Sequence, residues 1–284
     1  SILGYGLFIN HFSKVHSKNL GIIGFIGIFF LTLVSYSSSL FIAHNYYFNL
    51  LILTIGLLLI LYFLINSVFL KKDLLIFFLV FSFLFIFILV GKNHDDFPYY
   101  HFPYIHLLTQ DSHPFGLGQL NNGFRNQSSL FFLNSLFYLP NINIYFYHVG
   151  PVFFLGFANL FFLKNIFNKK NFKKFRFYNF INLFFLIFIN VFFSRLSEYG
   201  TDRLGSILII LAFIILLYLI NDNSKSSKYN DELTKFFMII GCITISMKPF
   251  YLIYFSLLFF LIYYTHLNQY LFKFLKSKLF FLTL

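Results

Sequence analysis

The chain has 284 residues, of which 59% are hydrophobic and 11% charged, and its formal net charge is +12. A soluble domain of this composition would expose too much apolar surface, so the sequence predicts an integral membrane protein. The positive charge does not indicate nucleic-acid binding, because the cations lie in short segments between apolar runs, as in cytoplasmic loops. The apolar runs lack the strict alternation of a β-barrel, which favours an all-α, polytopic bundle of transmembrane helices.

The first three predicted spans precede a long polar segment. Each is an apolar run near the length of about 20 residues that a membrane crossing needs, and they cover residues 20–43, 48–70 and 74–90. Basic residues precede the first run and separate the second from the third, at Lys14, Lys18, Lys71 and Lys72. Cytoplasmic loops are enriched in such cations, so we expect these residues inside and the segment after residue 90 outside.

Spans and polar loops alternate in the second half of the chain. Pro140 and Pro151 interrupt its first apolar stretch, which favours a short interfacial helix at 129–139 and then a span at 146–163. Further spans are predicted at 177–193 and 204–220, and a break at Lys248–Pro249 divides residues 236–266 into two short helices meeting near the outer face. The predicted loops are external at about 91–128 and 194–203, and cytoplasmic at about 164–176 and 221–235.

Residues 1–284 form a single transmembrane domain in this interpretation. We expect both of its ends to be truncated, because the chain starts at Ser1 rather than Met and its last residues begin another apolar run. The lone cysteine, Cys242, lies inside an apolar run and has no partner for an internal disulfide.

The long polar segment carries an acidic pair directly after a predicted span. A carboxylate pair at the end of a span is costly to keep there, so Asp95 and Asp96 are candidates for a function. The tyrosines and phenylalanines that follow suit the headgroup layer of a membrane. Pro98 and Pro103 argue against a straight helix, so we expect the segment to lie flat on the membrane or to dip into it.

Three polar sets face the outside in this topology, and they can converge on one site. The candidates are Asp95, Asp96, Tyr100, His101 and Arg125 in the first external loop, Glu198, Asp202 and Arg203 in the second, and Lys248 at the break. Asp95 and Asp96 are also candidates for holding a divalent metal ion, whereas the spacing of the loop histidines matches no compact zinc-ligand pair. Plainer readings stay open, since Lys248 can snorkel to the interface and Glu198 and Asp202 can simply neutralise neighbouring arginines.

The segment Asp96-Phe-Pro-Tyr-Tyr100-His101-Phe-Pro103 resembles the D-x-x-x-Y-H-x-P stretch of multi-span glycosyltransferases of the GT-C superfamily. The stretch GLGQLNNGFRNQSSLFFLNSLF is similar to one in related bacterial membrane proteins of poorly defined function. The resemblance covers about the middle fifth of the chain. One departure is that three predicted spans precede the acidic loop, whereas many GT-C enzymes place it after the first.

The resemblance implies a bacterial plasma-membrane enzyme that takes sugar from a polyprenyl-phosphate donor on the external face. Asp96 is then the base that accepts a proton from the acceptor hydroxyl, with Asp95 supporting it or helping to hold a metal. Arg125, Arg203 and Lys248 are then candidates for binding the leaving phosphate, while Tyr100 and His101 position donor or acceptor.

Two other classes of function stay open at the level of sequence. A transporter or flippase of a lipid-linked or anionic solute would more often show ionisable residues within its spans and internal repeats. A non-catalytic membrane protein would tolerate the loss of Asp96. The charges here collect near the predicted outer ends of spans, which favours surface chemistry.

Overall fold

The computed structural model describes most of the chain as an all-α bundle, as predicted. The described residues are 1–13, 15, 17–66, 71–89, 95–113, 116–139, 141–142, 149–167, 176–193, 196, 201–221 and 227–256. Within these ranges the chain forms helices and connecting turns, with no β-strand. Four helices are long and apolar enough to cross a membrane, at Leu20–Ser39, Tyr46–Ile65, Val149–Ile166 and Thr201–Ile220.

Eleven α-helices are numbered here in chain order across the described ranges. They are α1 Ile2–Phe12, α2 Leu20–Ser39, α3 Tyr46–Ile65, α4 Lys71–Leu89, α5 Phe102–Gln110, α6 Leu117–Leu120, α7 Ser129–Ser135, α8 Val149–Ile166, α9 Arg176–Phe192, α10 Thr201–Asn221 and α11 Ser227–Met247. A π-helical turn at Phe97–His101 precedes α5, and short 3-10 turns lie at Asn122–Arg125 and Pro249–Tyr251.

Helices α10 and α11 begin within segments that the sequence predicts as loops. Helix α10 begins at Thr201, so Asp202 and Arg203 lie in its first turn rather than in a loop. Helix α11 begins at Ser227, inside the segment 221–235 that the sequence predicts as a polar loop. The polar residues of these segments do not exclude a helix, because the first turns of a helix can project from the bilayer and remain hydrated.

The prolines of the long polar segment do not prevent helix formation. Pro98 lies in the first turn of the π-helical segment and Pro103 in the first turn of α5. An amide N–H in a first turn has no partner within the helix, so its replacement by proline costs little there. The segment is therefore more helical than the sequence indicates.

Helix α2 lies at the centre of the bundle because its glycines allow close approach on two sides. It packs against α1, α7 and α8. A Cβ at Gly21 would lie 2.5 Å from the Phe157 carbonyl oxygen, and one at Gly27 would overlap the Ile2 carbonyl. Small residues permit such backbone contacts between membrane helices. Helix α3 packs on α1 and exposes apolar side chains such as Leu51 and Leu58, as expected for a face toward lipid.

A layer of short helices covers one end of the bundle, where α2 and α11 finish and α3 and α10 begin; we call it the site end. The layer consists of the π-helical turn and α5 to α7, and it has its own apolar cluster around Tyr104, Ile105 and Phe131. The opposite end is marked by Lys164 near the end of α8, which forms an ion pair with Asp73 in the first turn of α4.

His44 attaches this layer to the spans. It is fully buried between α2 and α3, and its Nδ1 lies 2.5 Å from the Ser135 hydroxyl of α7, while its Nε2 lies 2.9 Å from the Ser38 hydroxyl. The Asn49 side chain donates to the carbonyls of Ser135 and Tyr138, both at 2.9 Å. Burial lowers the pKa of His44 to about 4, so it holds the layer as a neutral ring.

Candidate functional site

The long polar segment folds back on itself through Asn121. Its side-chain nitrogen donates to the Tyr99 carbonyl at 3.1 Å, and its side-chain oxygen accepts from the Gly123 N–H at 2.8 Å. A Cβ at Gly123 would come within 2.5 Å of the Tyr100 Cβ, so glycine lets the turn pack directly on Tyr100. This contact brings Tyr100 close to the turn that carries Arg125.

Arg125 is fixed over the backbone of α6. Its Nε donates to the Gly118 carbonyl at 3.0 Å, and its stem passes so close that a Cβ at Gly118 would lie 2.8 Å from the Arg125 Cγ. A guanidinium has five N–H donors, and this bond uses one of them. The side chain is exposed and orientated, so its remaining donors can bind an anion in a defined position.

Lys248 lies at the predicted break, where α11 ends. The residue is extended, with φ −151° and ψ 120°, because Pro249 disfavours a helical conformation in the residue before it. Its Nζ lies 2.5 Å from Oδ1 of Asp202, in the first turn of α10. A carboxylate is favourable at that position because the N-terminal end of a helix carries partial positive charge.

Tyr251 holds the same carboxylate from another side. Its hydroxyl donates to the Asp202 main-chain carbonyl at 3.2 Å and to Asp202 Oδ1 at 3.4 Å. Gly205 makes room for the ring, since a Cβ there would overlap the Tyr251 ring. Burial and the negative charge of Asp202 both raise the pKa of Tyr251, so the phenol stays protonated as a donor.

A cavity of about 650 Å³ opens at the site end between these groups. Two cations, several polar side chains and four aromatic rings are among the residues that line it: Tyr36, Tyr100, Arg125, Asn126, Gln127, Ser128, Phe131, Thr201, Ile245, Ser246, Lys248, Pro249 and Phe250. These described lining residues include no acid. Two cations beside amides, hydroxyls and aromatic faces can bind an anionic group that carries a polar ring.

Tyr100 connects the cavity to two acids. Burial raises the pKa of Tyr100, and the charges of Asp96 and Asp202 raise it further. Both carboxylates therefore act on one phenol on the cavity wall, although one comes from the long polar segment and the other from α10. Asp96 is half-buried, whereas Asp95 is exposed.

The sequence candidates divide into three groups in the structure. Tyr100, Arg125 and Lys248 line the cavity, and Asp202 contacts it through Lys248. Asp95, Asp96, His101 and Arg203 are not among the lining residues. Glu198 lies outside the described residues.

His101 has a packing position instead of a cavity position. It is buried, and its ring centroid lies 4.3 Å from that of Tyr100 and 5.0 Å from that of Phe131. Both of those rings line the cavity, so His101 supports its wall from behind.

Sequence reasoning does not identify several of the lining residues. Tyr36 donates to the Gln127 side chain at 3.4 Å, and Ser246 donates to the Ser129 hydroxyl at 2.9 Å, which joins α11 to α7 next to the cavity. The available signal is weak: Tyr36 lies in the run Ser35–Ser39, where an apolar helix becomes polar at its end.

The divalent metal ion expected at Asp95 and Asp96 stays a prediction. Nowhere in these ranges do three or more His, Cys, Asp or Glu side chains come together in a way that could hold a metal ion. His94, the nearest histidine in sequence, lies outside the described residues.

Comparison with protein families gives one match. A family model described as a domain of unknown function (DUF8201) matches residues 1–284, so the chain belongs to that family. No match was found among curated proteins, and none was found among solved structures.

Proposed function

We propose that this member of the DUF8201 family is a membrane glycosyltransferase that transfers a sugar from a polyprenyl-phosphate donor to an acceptor hydroxyl on the external face. The observation that carries the proposal is the cavity at the site end, where Arg125 and Lys248 converge beside Tyr100 and the acids that act on it. The resemblance of residues 96–103 to the GT-C stretch supports the same chemistry.

The phosphate of the donor binds between Arg125 and Lys248 in this proposal. Arg125 offers donors in a fixed plane, and Lys248 offers a compact charge from another segment of the chain. The amides and aromatic rings of the remaining wall then bind the sugar ring, and the apolar tail of the donor stays in the bilayer.

The transfer is a single inverting displacement. The acceptor oxygen attacks the anomeric carbon while Asp96 accepts the hydroxyl proton, and the bond between that carbon and the phosphate oxygen breaks. The electron pair leaves with the polyprenyl phosphate, whose growing negative charge the two cations stabilise.

The positions of the ion pairs favour this reading over a transporter. Within the described ranges, the ion pairs Asp73–Lys164 and Asp202–Lys248 lie at helix ends, and Asp231–Lys235 lies within the first three turns of α11. Transport sites typically place ionisable groups near the bilayer midplane.

The decisive experiment measures sugar transfer by the purified protein from a panel of polyprenyl-phosphate sugars. Asp96→Asn should lower the rate on the order of 10²- to 10⁴-fold, the usual contribution of a general base. Asp111→Asn is the matched control, because Asp111 is an exposed acid in the same layer and, unlike Asp96, is not among the charges that raise the pKa of Tyr100. Transfer that survives Asp96→Asn would exclude Asp96 as the base, and solute movement across vesicles without any transfer would support the transporter.

A further inference from the structure

We propose that Asp202 is an internal counter-ion that competes with the bound phosphate for Lys248, and so sets how tightly the cavity retains a phosphate monoester. This inference rests on the proposed phosphate-binding role of the cavity. It assigns Asp202 a role opposite to substrate binding, because the residue weakens the affinity for the ligand.

The ion pair has the geometry of an exchangeable contact. Lys248 meets one carboxylate oxygen of Asp202, and the side chains of Lys248 and Asp202 are 34% and 68% exposed. Lys248 lines the cavity while Asp202 does not, so the ammonium can turn from the carboxylate toward a ligand in the cavity. Water reaches the carboxylate, so Asp202 does not become a buried, unpaired charge when the pair opens.

Tyr251 lowers the cost of opening the pair. Its hydroxyl donates to the same oxygen, Oδ1, that Lys248 contacts, and also to the Asp202 main-chain carbonyl. When Lys248 moves to a phosphate, the carboxylate keeps this donor. Tyr251 is therefore a positioning residue that acts through Asp202, and Gly205 is the residue that leaves space for its ring.

The competition depends on the charge of the ligand. A phosphodiester carries one negative charge, whereas a phosphate monoester carries close to two above its second pKa of about 6. The repulsion from Asp202 scales with that charge, so Asp202 weakens monoester binding more than diester binding. In a transferase the donor is a diester and the leaving group a monoester, so the carboxylate promotes release of the spent lipid phosphate.

The test uses direct binding, so it is independent of transfer. The chain contains no tryptophan, and Phe250 lines the cavity, so Phe250→Trp places a single tryptophan at the site, which can be excited selectively over the tyrosines. The probes are farnesyl phosphate and its methyl diester, titrated in a neutral detergent at about pH 8, where the monoester is a dianion. Isothermal titration calorimetry on the chain with Phe250 intact checks that the tryptophan does not alter the result.

Asp202→Asn should tighten the binding of farnesyl phosphate on the order of tenfold and that of the diester by less. Tyr251→Phe should weaken farnesyl phosphate binding several-fold, and this effect should vanish when Tyr251→Phe is combined with Asp202→Asn. Asp73→Asn is the matched control, because it makes the same change in the ion pair at the opposite end and should leave both affinities unchanged.

Weaker or unchanged binding of farnesyl phosphate in Asp202→Asn would overturn the inference. The proposed glycosyl transfer would be unaffected, because the Asp96→Asn experiment tests it separately. Failure of farnesyl phosphate to bind any variant would overturn both the inference and the phosphate-binding role of the cavity. If Asp202→Asn binds farnesyl phosphate more tightly but the protein transfers no sugar, the counter-ion role of Asp202 stands and the glycosyltransferase proposal is rejected.

Discussion

The two ends of the bundle each carry an aspartate–lysine pair, and the pairs differ in how they are held. At the opposite end, Lys164 donates to both oxygens of Asp73 at 2.9 Å, and the Asp73 side chain is only 15% exposed. At the site end, Lys248 meets a single oxygen of an Asp202 side chain that is 68% exposed. The same two residue types therefore form a structural clamp where the acid is covered, and a replaceable contact where it faces water.

The largest difference between the pairs should appear when each lysine is removed. Lys248→Gln should weaken farnesyl phosphate binding about 10- to 100-fold, because a hydrogen bond to a charged group is lost. Lys164→Gln should leave the affinity within about twofold, since no ligand contact changes. Fluorescence titration of the Phe250→Trp protein measures both, and equal losses in the two variants would abolish the distinction between the ends.

Thermal stability should depend more on the Asp73–Lys164 pair than on the Asp202–Lys248 pair. Asp73→Asn removes a partly buried pair worth about 0.5–1 kcal/mol, which lowers the Tm by about 1–4 °C in a chain of this size. Asp202→Asn removes a more exposed carboxylate and should lower the Tm by less. Differential scanning fluorimetry in one detergent compares the two variants, and a larger loss for Asp202→Asn would assign the structural role to the site end.

Gly205 should affect phosphate binding only through the Tyr251 hydroxyl, which holds Asp202 in place without changing its charge. Gly205→Ala places a methyl group where the Tyr251 ring lies, so it should weaken farnesyl phosphate binding several-fold, as is expected for Tyr251→Phe. The double variant should be no weaker than either single variant, because both changes remove the same hydrogen bond. Additive losses would show that Gly205 acts through some other contact.

A pH-dependent effect is expected where the site-end layer attaches to the spans. Burial lowers the pKa of His44 from 6.5 to about 4, so the unfolded chain binds a proton that the folded chain excludes in this interval. The contribution of His44 to stability is therefore present above pH 6.5 and is lost as the pH falls toward 4.

Thermal unfolding of His44→Asn as a function of pH checks this assignment. The Tm of the variant should fall less steeply between these pH values than that of the unmodified chain. Parallel curves would mean that carboxylates alone cause the acid sensitivity.

The fold could be predicted from the sequence largely because a bilayer imposes one length and one secondary structure on each crossing. The predicted span 204–220 therefore lies within α10, and the predicted break at Lys248 matches the end of α11. Helix α1 is not among the predicted spans, and it packs against α2 and α3.

The site was less accessible to sequence reasoning than the fold. Tyr100, Arg125 and Lys248 could be proposed because charge and a local motif are visible in sequence, and they line one cavity. Tyr251 could not, because a tyrosine in an apolar run gives no sign that its hydroxyl meets an aspartate in another helix. Asp96 was expected as the central residue, and the structure places it among the residues that influence Tyr100 rather than on the cavity wall.

The two cations of the cavity come from segments far apart in the chain, with Arg125 after α6 and Lys248 after α11. During synthesis the first enters the membrane well before the second leaves the ribosome. The cavity therefore has both of its cations only after α11 has been made and packs against α7, where the Ser246 hydroxyl donates to that of Ser129. In the proposed function, the two halves of the phosphate site thus come from an early and a late part of the chain.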